Sequence, residues 1–155
     1  MFAFGDGSGE KNLALSDQRS ALQFVRQHIG GFGGDPENLT LAGESAGAVY
    51  VHAHMVMGVP IRQAILQSGS LYLSPPIPEA RAGGIVARVE ERLSLKGCAG
   101  LRDAKVEDFL EAQADLGMIS LFLQTEPGIE DWREKLGHAE RLLLGDCEYE
   151  VSDSI

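Results

Sequence analysis

The sequence predicts an α/β fold in which a mostly parallel sheet carries helices on both faces. Short apolar segments alternate along the chain with longer segments of helical periodicity, and glycine or proline marks many of the boundaries. Strands that alternate with helices favour parallel pairing, and a parallel sheet is normally covered on both sides. Since the 155 residues contain no internal repeat or linker, we expect a single domain over residues 1–155.

The elements before residue 70 follow one another closely. Residues 17–29 have helical spacing, with Ser16 as the expected N-cap and Gly30-Gly31 as the end. A turn at Asp35-Pro36 leads into a buried strand over residues 39–42.

A second helix and a second strand come next. Residues 46–57 predict a helix that is apolar on nearly all sides and ends at Gly58, as expected of a helix held inside a larger protein. Residues 64–67 predict another short apolar strand.

The second half of the chain gives weaker patterns. Pro78 is the expected first residue of an amphipathic helix that ends near Gly97. The other expectations are a helix over 105–116 with Val106, Phe109 and Leu110 inward, a strand or a lining surface over 118–123, a short polar helix around Trp132, and a buried strand over 142–144.

Composition excludes several classes of function. Apolar residues make up 44% of the chain and charged residues 23%, which are ordinary values for a globular protein. The net charge of −10 repels phosphate backbones, so nucleic-acid binding is not expected. No apolar run approaches the roughly 20 residues of a bilayer span. Met1 to Gly5 carries no export signal, so a cytoplasmic location is the default expectation.

Cysteine usage gives no metal or disulfide framework. Cys98 and Cys147 are too few and too far apart for either, so we expect two thiols rather than a single disulfide. No metal and no cofactor is expected.

Residues 43–47 read Gly-Glu-Ser-Ala-Gly between a predicted strand and a predicted helix, which is the arrangement of a nucleophile elbow. On such a turn the serine backbone is strained and its hydroxyl projects above the edge of the sheet. We expect glycine to be required at both Gly43 and Gly47, because larger side chains would collide there. In a chain with 19 glycines the five-residue pattern is weak without its context.

Four blocks of sequence supply that context. They are Asn12 to Leu22 (Asn-Leu-Ala-Leu-x-Asp-Gln-Arg-x-Ala-Leu), Phe32 to Pro36 (Phe-Gly-Gly-Asp-Pro), Leu39 to Ala48 (Leu-Thr-Leu-Ala-Gly-Glu-Ser-Ala-Gly-Ala) and Leu66 to Ser70 (Leu-Gln-Ser-Gly-Ser). In this order and spacing they resemble the type-B carboxylesterase and cholinesterase family. The resemblance implies a three-layer α/β-hydrolase fold and a triad in the order serine, acid, histidine.

The resemblance also assigns roles to residues of the elbow. It implies that Ser45 is the nucleophile and that the backbone N–H of Ala46 donates to the developing oxyanion. Glu44 either adds negative potential at the site, as its counterpart in the family does, or is an ordinary exposed turn residue.

The acid of the triad is implied by a segment near the end of the chain. Gly145 to Glu150 resembles the family's glycine-x-x-x-x-glutamate segment, which places Glu150 at the position of the acid. The family usually has Asp-Glu-Gly where this chain has Tyr149-Glu150-Val151, so Asp146 and Glu148 remain lesser candidates.

Two parts of the family pattern are not found in the sequence. The glycine-rich oxyanion loop is expected well before Asn12, and the catalytic histidine well after the acid. We therefore expect the sequence to be the central part of a longer α/β-hydrolase domain. None of the four histidines is expected to replace the base. His52 and His54 point to different faces of one helix. His28 lies in a helix on the far side of a turn, and His138 precedes the acid, against the family order.

The function implied is hydrolysis of a small-molecule carboxylic ester through an acyl-enzyme on Ser45, with little activity in the chain by itself. The alternative is a non-catalytic fragment or an interaction module on the same scaffold. A peptidase is disfavoured because Phe32 to Pro36 approaches the elbow as in the esterases. The sequence indicates neither the acyl and alcohol preference nor the oligomeric state.

Overall fold

A computed structural model describes residues 11–101, 103–117, 123–135 and 137–147. The chain divides into two compact units. The first contains the chain up to Leu13 together with Ile77–Thr125, and the second contains Ala14–Pro76 together with the chain from Glu126 onward. The single domain expected from the sequence stays a prediction.

The second unit carries the sheet. Its strands are β1 (Thr40–Glu44), β2 (Gln63–Gln67) and β3 (Arg141–Gly145), in the order β1-β2-β3 with both pairs parallel. The register aligns Glu44 with Gln67 and Gln67 with Gly145, so the three strands end level with one another. The predicted α/β class with a parallel sheet is confirmed.

Two helices flank these strands in the chain, namely α1 (Leu13–His28) and α2 (Ala46–Val56). Of the helices that the structure describes, α2 makes the close contacts with the sheet. Ala48, Val51 and Met55 on α2 pack on Ala64 and Leu66 of β2 to form a buried core. As predicted, α2 is buried over most of its surface and ends next to Gly58, whose φ of 75° is left-handed.

Strand β3 differs from its prediction. The sequence predicts a buried strand over residues 142–144, yet Leu142, Leu143 and Leu144 are 48%, 61% and 62% exposed. The reason is that α2 packs on β1 and β2, and within the described ranges no helix packs closely on β3. The apolar sequence of β3 therefore indicates a need for burial that the described residues do not supply.

The first unit is built on α3 (Glu79–Leu95) and α4 (Val106–Asp115). Val89 and Leu93 of α3 pack against Phe109 and Ala112 of α4. Since Phe109 and Ala112 are three positions apart, they occupy one side of α4.

The inward direction predicted for two other residues of α4 is wrong. Val106 is 65% exposed and Leu110 is 55% exposed, because α3 covers only the side of α4 that carries Phe109.

The ends of two helices lie at other positions than predicted. Helix α1 begins at Leu13, so Ser16 lies inside the helix and is not its N-cap. The earlier start buries Leu15 completely. The helix also ends before the glycine pair, and a 3-10 turn, Ile29–Phe32, carries the chain to Gly33, whose φ is 81°. Pro78 is the N-cap of α3, one residue before the helix.

Two further expectations concern the region between α4 and β3. The polar helix predicted around Trp132 is a series of turns in which the indole is buried. Residues 118–122 lie outside the described residues, while Leu123 is buried and Gln124 forms an isolated parallel bridge with Ile77.

Two absences complete the description. Cys98 and Cys147 do not form a disulfide. Within the described ranges, no helix has the length and the apolar character that crossing a bilayer requires.

Candidate active site

Ser45 occupies the single residue between the end of β1 and the start of α2. Its backbone angles are φ 51° and ψ −119°, outside the regions that side-chain-bearing residues prefer. Such strain costs about 1–3 kcal/mol and persists only where the surroundings enforce it. The serine is exposed and stands at the N-cap of α2, but its side chain forms no capping hydrogen bond. A serine at an N-cap ordinarily uses its oxygen for that bond, so the hydroxyl of Ser45 is not committed to the helix.

Close contacts between backbones enforce this turn. A Cβ at Gly43 would lie 2.3 Å from the carbonyl carbon of Gly47 and 2.4 Å from its oxygen. A Cβ at Gly69 would lie 2.2 Å from the carbonyl oxygen of Ser45. Backbone atoms cannot move aside as a flexible side chain can, so both positions require glycine. The prediction for Gly43 is thereby confirmed.

The corresponding prediction for Gly47 is wrong for the residues that the structure describes. Apart from its chain neighbours and the backbone of α2, a Cβ built at Gly47 meets no described atom within 4 Å. Gly47 lies in the first turn of α2 and lines an open cavity. Its carbonyl group makes the close contact with Gly43, but the position of its own missing Cβ is open. Gly43 and Gly47 differ because α2 turns back over β1. Gly43 lies beneath the helix, whereas a Cβ on Gly47 would point into open space.

The carboxyl ends of the three strands bring the candidate residues to one edge of the sheet. Ser45, Ser68 and Asp146 are the first residues after β1, β2 and β3. The N–H of Ser45 donates to the carbonyl of Gln67 at 2.8 Å, and the N–H of Ser68 donates to the carbonyl of Gly145 at 2.8 Å. These bonds continue the pairing one residue beyond the strands. Ligands of open α/β sheets bind at this edge.

The N-terminus of α2 adds donors to the same edge. The helix begins at Ala46, and the first bond to the Ser45 carbonyl comes from the N–H of Val49 at 3.2 Å. The N–H groups of the preceding turn have no acceptor inside the helix. Together with the helix dipole they favour negative charge, which suits the N–H of Ala46 to an oxyanion beside Ser45.

Of the three residues considered for the acid, one lies within the described residues. Glu150 and Glu148 lie outside the described residues. Asp146 is described, is exposed, and follows β3 at the same edge as Ser45. Glu44, the last residue of β1, is also exposed. Both carboxylates contribute negative charge to this edge of the sheet.

Asp146 also lines a cavity of about 410 Å³ beside α2 and β3. The cavity is bounded by His52 and by Tyr72, whose ring lies 4.8 Å from the ring of the buried Trp132 in an edge-to-face arrangement. Ser70, which belongs to the fourth block of the sequence pattern, reaches the same cavity.

Each of the two histidines of α2 has one ring nitrogen in a hydrogen bond with a residue other than Ser45. Nδ1 of His52 accepts a hydrogen bond from the N–H of Leu71 at 3.1 Å. Nε2 of His54 lies 2.8 Å from Oε1 of Gln18 on α1. Burial lowers the pKa of His52, and burial together with the charge of Arg19 lowers the pKa of His54 to about 4. Both imidazoles are neutral at pH 7.

The other two histidines lie farther along the chain from the elbow. His28, at the end of α1, packs its ring on Phe24 with centroids 4.4 Å apart. His138 is exposed and lies next to Gly58, after the end of α2. Neither contact involves the elbow.

Sequence reasoning included three residues of the fourth block in the family pattern without giving them a role in shaping the site. Gln67 accepts the hydrogen bond from the Ser45 N–H, Gly69 leaves room for the Ser45 carbonyl, and Ser68 has a left-handed φ of 52°. The Ser68-Gly69 pair directly after a predicted parallel strand was a usable signal. Carboxyl ends of neighbouring parallel strands meet at one edge, so that turn had to lie beside the elbow.

Within the described ranges, no three histidine, cysteine, aspartate or glutamate side chains converge in a group able to hold a metal ion.

Comparison with known sequences identifies the relatives of this chain. Residues 1–132 match the profile of the Carboxylesterase family. Lipase 3 of Yarrowia lipolytica is 32% identical over 92% of this chain and 30% of its own length. Esterase E4 of Myzus persicae is 30% identical over 83% of this chain and 22% of its own length. An inactive carboxylesterase-like protein of Byssochlamys spectabilis is 47% identical over 44% of this chain and 12% of its own length.

Solved structures agree with these relatives. A thermophilic PNB esterase superposes with a TM-score of 0.74 at 28% identity, covering 95% of this chain and 34% of that protein. A carboxylesterase of Geobacillus stearothermophilus superposes with a TM-score of 0.73 at 26% identity, covering 94% of this chain and 33% of that protein. The predicted hydrolase fold is confirmed, and the chain spans a minor part of the length of each protein.

Proposed function

This chain belongs to the carboxylesterase family, and from that premise we propose that it carries the nucleophile of a serine carboxylic-ester hydrolase. The observation that carries the proposal is the turn at Ser45, where a strained serine is held between glycine contacts and its hydroxyl is not used to cap α2. A structure that stores strain at a serine without a capping role supports a chemical role for the hydroxyl.

In the proposed reaction, the hydroxyl oxygen of Ser45 attacks the carbonyl carbon of a small-molecule ester. The negative charge that develops on the carbonyl oxygen is stabilised by the N–H of Ala46, and such a donor is worth about 3–4 kcal/mol in the transition state. The alcohol leaves with a proton, and water then hydrolyses the acyl-enzyme. A histidine base takes the serine proton, and Glu150 orients that base, with Asp146 and Glu148 as the lesser alternatives.

We further propose that this chain is nearly inactive by itself. The ring contacts described for its four histidines involve Phe24, Leu71, Gln18 and Gly58, and none of them is with Ser45. General-base assistance is worth about 100- to 10,000-fold in rate, so an unassisted serine hydroxyl is a poor nucleophile.

The test is hydrolysis of p-nitrophenyl butyrate by the recombinant chain. We expect the rate to stay within a few-fold of a Ser45→Ala variant. Ser20→Ala is a matched control, since Ser20 lies on α1 and its hydroxyl donates to the Ser16 carbonyl. A rate far above that of Ser45→Ala, with Ser20→Ala unchanged, would contradict the proposed inactivity and would leave the role of Ser45 supported.

A non-catalytic fragment or interaction module is the second candidate. It is favoured by the inactive carboxylesterase-like relative, which is 47% identical over 73 residues. The two candidates differ in the coding DNA on either side of this reading frame. An in-frame glycine-rich loop upstream and a histidine block downstream are expected for the enzyme. The protein so extended should react at Ser45 with a fluorophosphonate, and failure of that reaction would favour the non-catalytic candidate.

A further inference from the structure

Asn38 lies at the end of the turn that leads into β1. The turn is held by Asp35, whose carbonyl accepts a hydrogen bond from the N–H of Asn38 at 3.1 Å and whose Oδ1 accepts one from the N–H of Glu37 at 2.9 Å. Asn38 is exposed, and β1 begins two residues later at Thr40. Its side chain is therefore presented at the surface by a hydrogen-bonded turn, where a bulky attached group can be accommodated.

Residues 38–40 read Asn-Leu-Thr, which is an acceptor sequence for N-linked glycosylation. Such a sequence needs a hydroxyl residue two positions after the asparagine, and the residue between them must not be proline. The other asparagine of the sequence, Asn12, is followed by Leu13 and Ala14 and is buried. Asn38 is thus the one asparagine of the sequence that meets the requirement.

The fold uses the oxygen of the Asn38 side chain and leaves its nitrogen free. Oδ1 accepts a long hydrogen bond from Nε2 of Gln63 at 3.4 Å. Within the described ranges, Nδ2 donates no hydrogen bond. Attachment of a sugar to Nδ2 keeps Oδ1 as an amide acceptor, so the contact with Gln63 can persist in the glycosylated protein.

The hydroxyl of Thr40 lies beside the same side chain of β2. It donates to Oε1 of Gln63 at 2.7 Å, so Gln63 contacts both polar residues of the acceptor sequence. Asn38 and Thr40 are two positions apart in extended chain and therefore lie on one face. An oligosaccharide on Asn38 would leave the protein from this exposed end of β1.

This end of β1 is the one opposite to the elbow. Ser45 follows the carboxyl end of β1, and Asn38 precedes its amino end. At about 3.3 Å per residue, the five residues of β1 alone separate the two sites by about 16 Å. The site at Asn38 therefore does not use Ser45 and does not depend on the proposed hydrolysis.

We propose that Asn38 is the attachment site of an N-linked oligosaccharide in the exported protein, with a lipid-linked oligosaccharide as the donor. Nδ2 of Asn38 gives up a proton to a base of the transferase and forms a bond to the anomeric carbon of the first sugar. The bond between that carbon and a pyrophosphate oxygen of the polyisoprenoid carrier breaks, and the carrier leaves as its pyrophosphate. The transfer takes place on chains that enter the secretory pathway, so the test supplies a cleavable secretion signal ahead of Met1.

The experiment is secretion of the full chain from yeast, followed by mass spectrometry before and after treatment with peptide-N-glycosidase. We expect the secreted chain to carry one glycan that the enzyme removes. Removal by this enzyme hydrolyses the side-chain amide, so the peptide that contains position 38 should then carry aspartate there. A secreted chain without a glycan, or with a glycan on another residue, would overturn the proposal.

Two substitutions at Thr40 form a matched pair. Thr40→Ser keeps the hydroxyl and should remain glycosylated, whereas Thr40→Val keeps the shape of the side chain and should lose the glycan completely although Asn38 is still present. Asn38→Gln, on the exposed turn, should lose the glycan as well. Should Thr40→Val not be secreted, Asn38→Gln and the unaltered chain still decide the question. A glycan that persists in Thr40→Val or in Asn38→Gln would contradict the assignment to Asn38.

Discussion

Two glycines that flank Ser45 should respond in opposite directions to the same substitution. Gly43→Ala places a methyl group 2.3 Å from the carbonyl carbon of Gly47 and 2.7 Å from the nitrogen of Ala48. Gly47→Ala places a methyl group where, apart from its chain neighbours and the backbone of α2, no described atom lies within 4 Å. The substitutions are chemically identical and only four positions apart, so a difference between them reports on the elbow itself.

The expected magnitudes follow from these contacts. Overpacking of a core commonly costs about 1–3 kcal/mol, and Gly43→Ala should reach at least about 3 kcal/mol because the obstructing atoms belong to backbone. At Gly47 the backbone is helical and the space is open, so alanine should stabilise the unit by about 0.5–1 kcal/mol through helix propensity and a less flexible unfolded chain.

The assay is urea unfolding followed by tryptophan fluorescence. The chain has one tryptophan, and Trp132 is 4% exposed within the unit that contains the elbow, so its emission reports on that unit. With an m value of about 1–3 kcal/mol/M, Gly43→Ala should lower the midpoint by about 1 M or more, and Gly47→Ala should raise it slightly. Gly69→Ala, whose methyl group would lie 2.2 Å from the Ser45 carbonyl oxygen, should resemble Gly43→Ala.

One outcome would refute this reasoning about the turn. If the free energy of unfolding of Gly43→Ala lies within about 0.5 kcal/mol of that of the unaltered chain, the close approach of α2 to β1 does not require glycine. A loss for Gly47→Ala as large as that for Gly43→Ala would show instead that the space at Gly47 is filled in solution.

Three further predictions concern other parts of the molecule. Because the pKa of His54 is lowered to about 4 from an ordinary 6.5, the unfolded chain binds a proton that the folded chain does not between these pH values. The stability contributed by the neutral ring is complete above pH 6.5, and it falls by up to about 3 kcal/mol as the pH drops to 4. A His54→Gln variant should not show this loss of stability between pH 6.5 and 4. If the urea midpoints of both proteins change in parallel with pH, the prediction is wrong. The side chain of Asn12 donates to the carbonyl of Gln124 at 2.8 Å and accepts a hydrogen bond from its N–H at 2.9 Å. Asn12→Ala should therefore lower the free energy of unfolding by about 2–3 kcal/mol and speed hydrogen exchange at the Gln124 amide. Unchanged exchange would show that the contact is not maintained. The exposed leucines of strand β3 should promote association of the chain. Leu143→Lys should therefore reduce its concentration-dependent light scattering. If the unaltered chain is a monomer that melts sharply and reversibly, β3 does not promote association.

Much of the fold follows from local signals in the sequence. The apolar run of α2 and the short apolar strands on either side of it are unambiguous because each has one periodicity and a glycine or turn at its end. Helix α1 shows the limit of such signals. Ser16 has the chemistry of an N-cap, but burial of Leu15 extends the helix back to Leu13, and tertiary packing outweighs a cap of about 1 kcal/mol.

The candidate site divides in the same way. The elbow was predictable from the pattern Gly43-Glu44-Ser45-Ala46-Gly47 between a strand and a helix, and the steric restriction behind that pattern is found at Gly43 and not at Gly47. The contribution of Gly69 was not predictable from spacing alone, because its requirement arises from the carbonyl of Ser45, which lies 24 positions earlier in the chain.

The sequence by itself determined the α/β class, the family and the position of the candidate nucleophile, because these depend on local periodicity and on blocks of residues in a fixed order. Only the tertiary structure decided which glycines the elbow needs and which of the described helices covers the sheet. Those properties depend on distances between backbone segments that are remote in the chain. Pairing of β1 and β2 brings Gly69 against Ser45, and the approach of α2 to β1 brings Gly47 over Gly43.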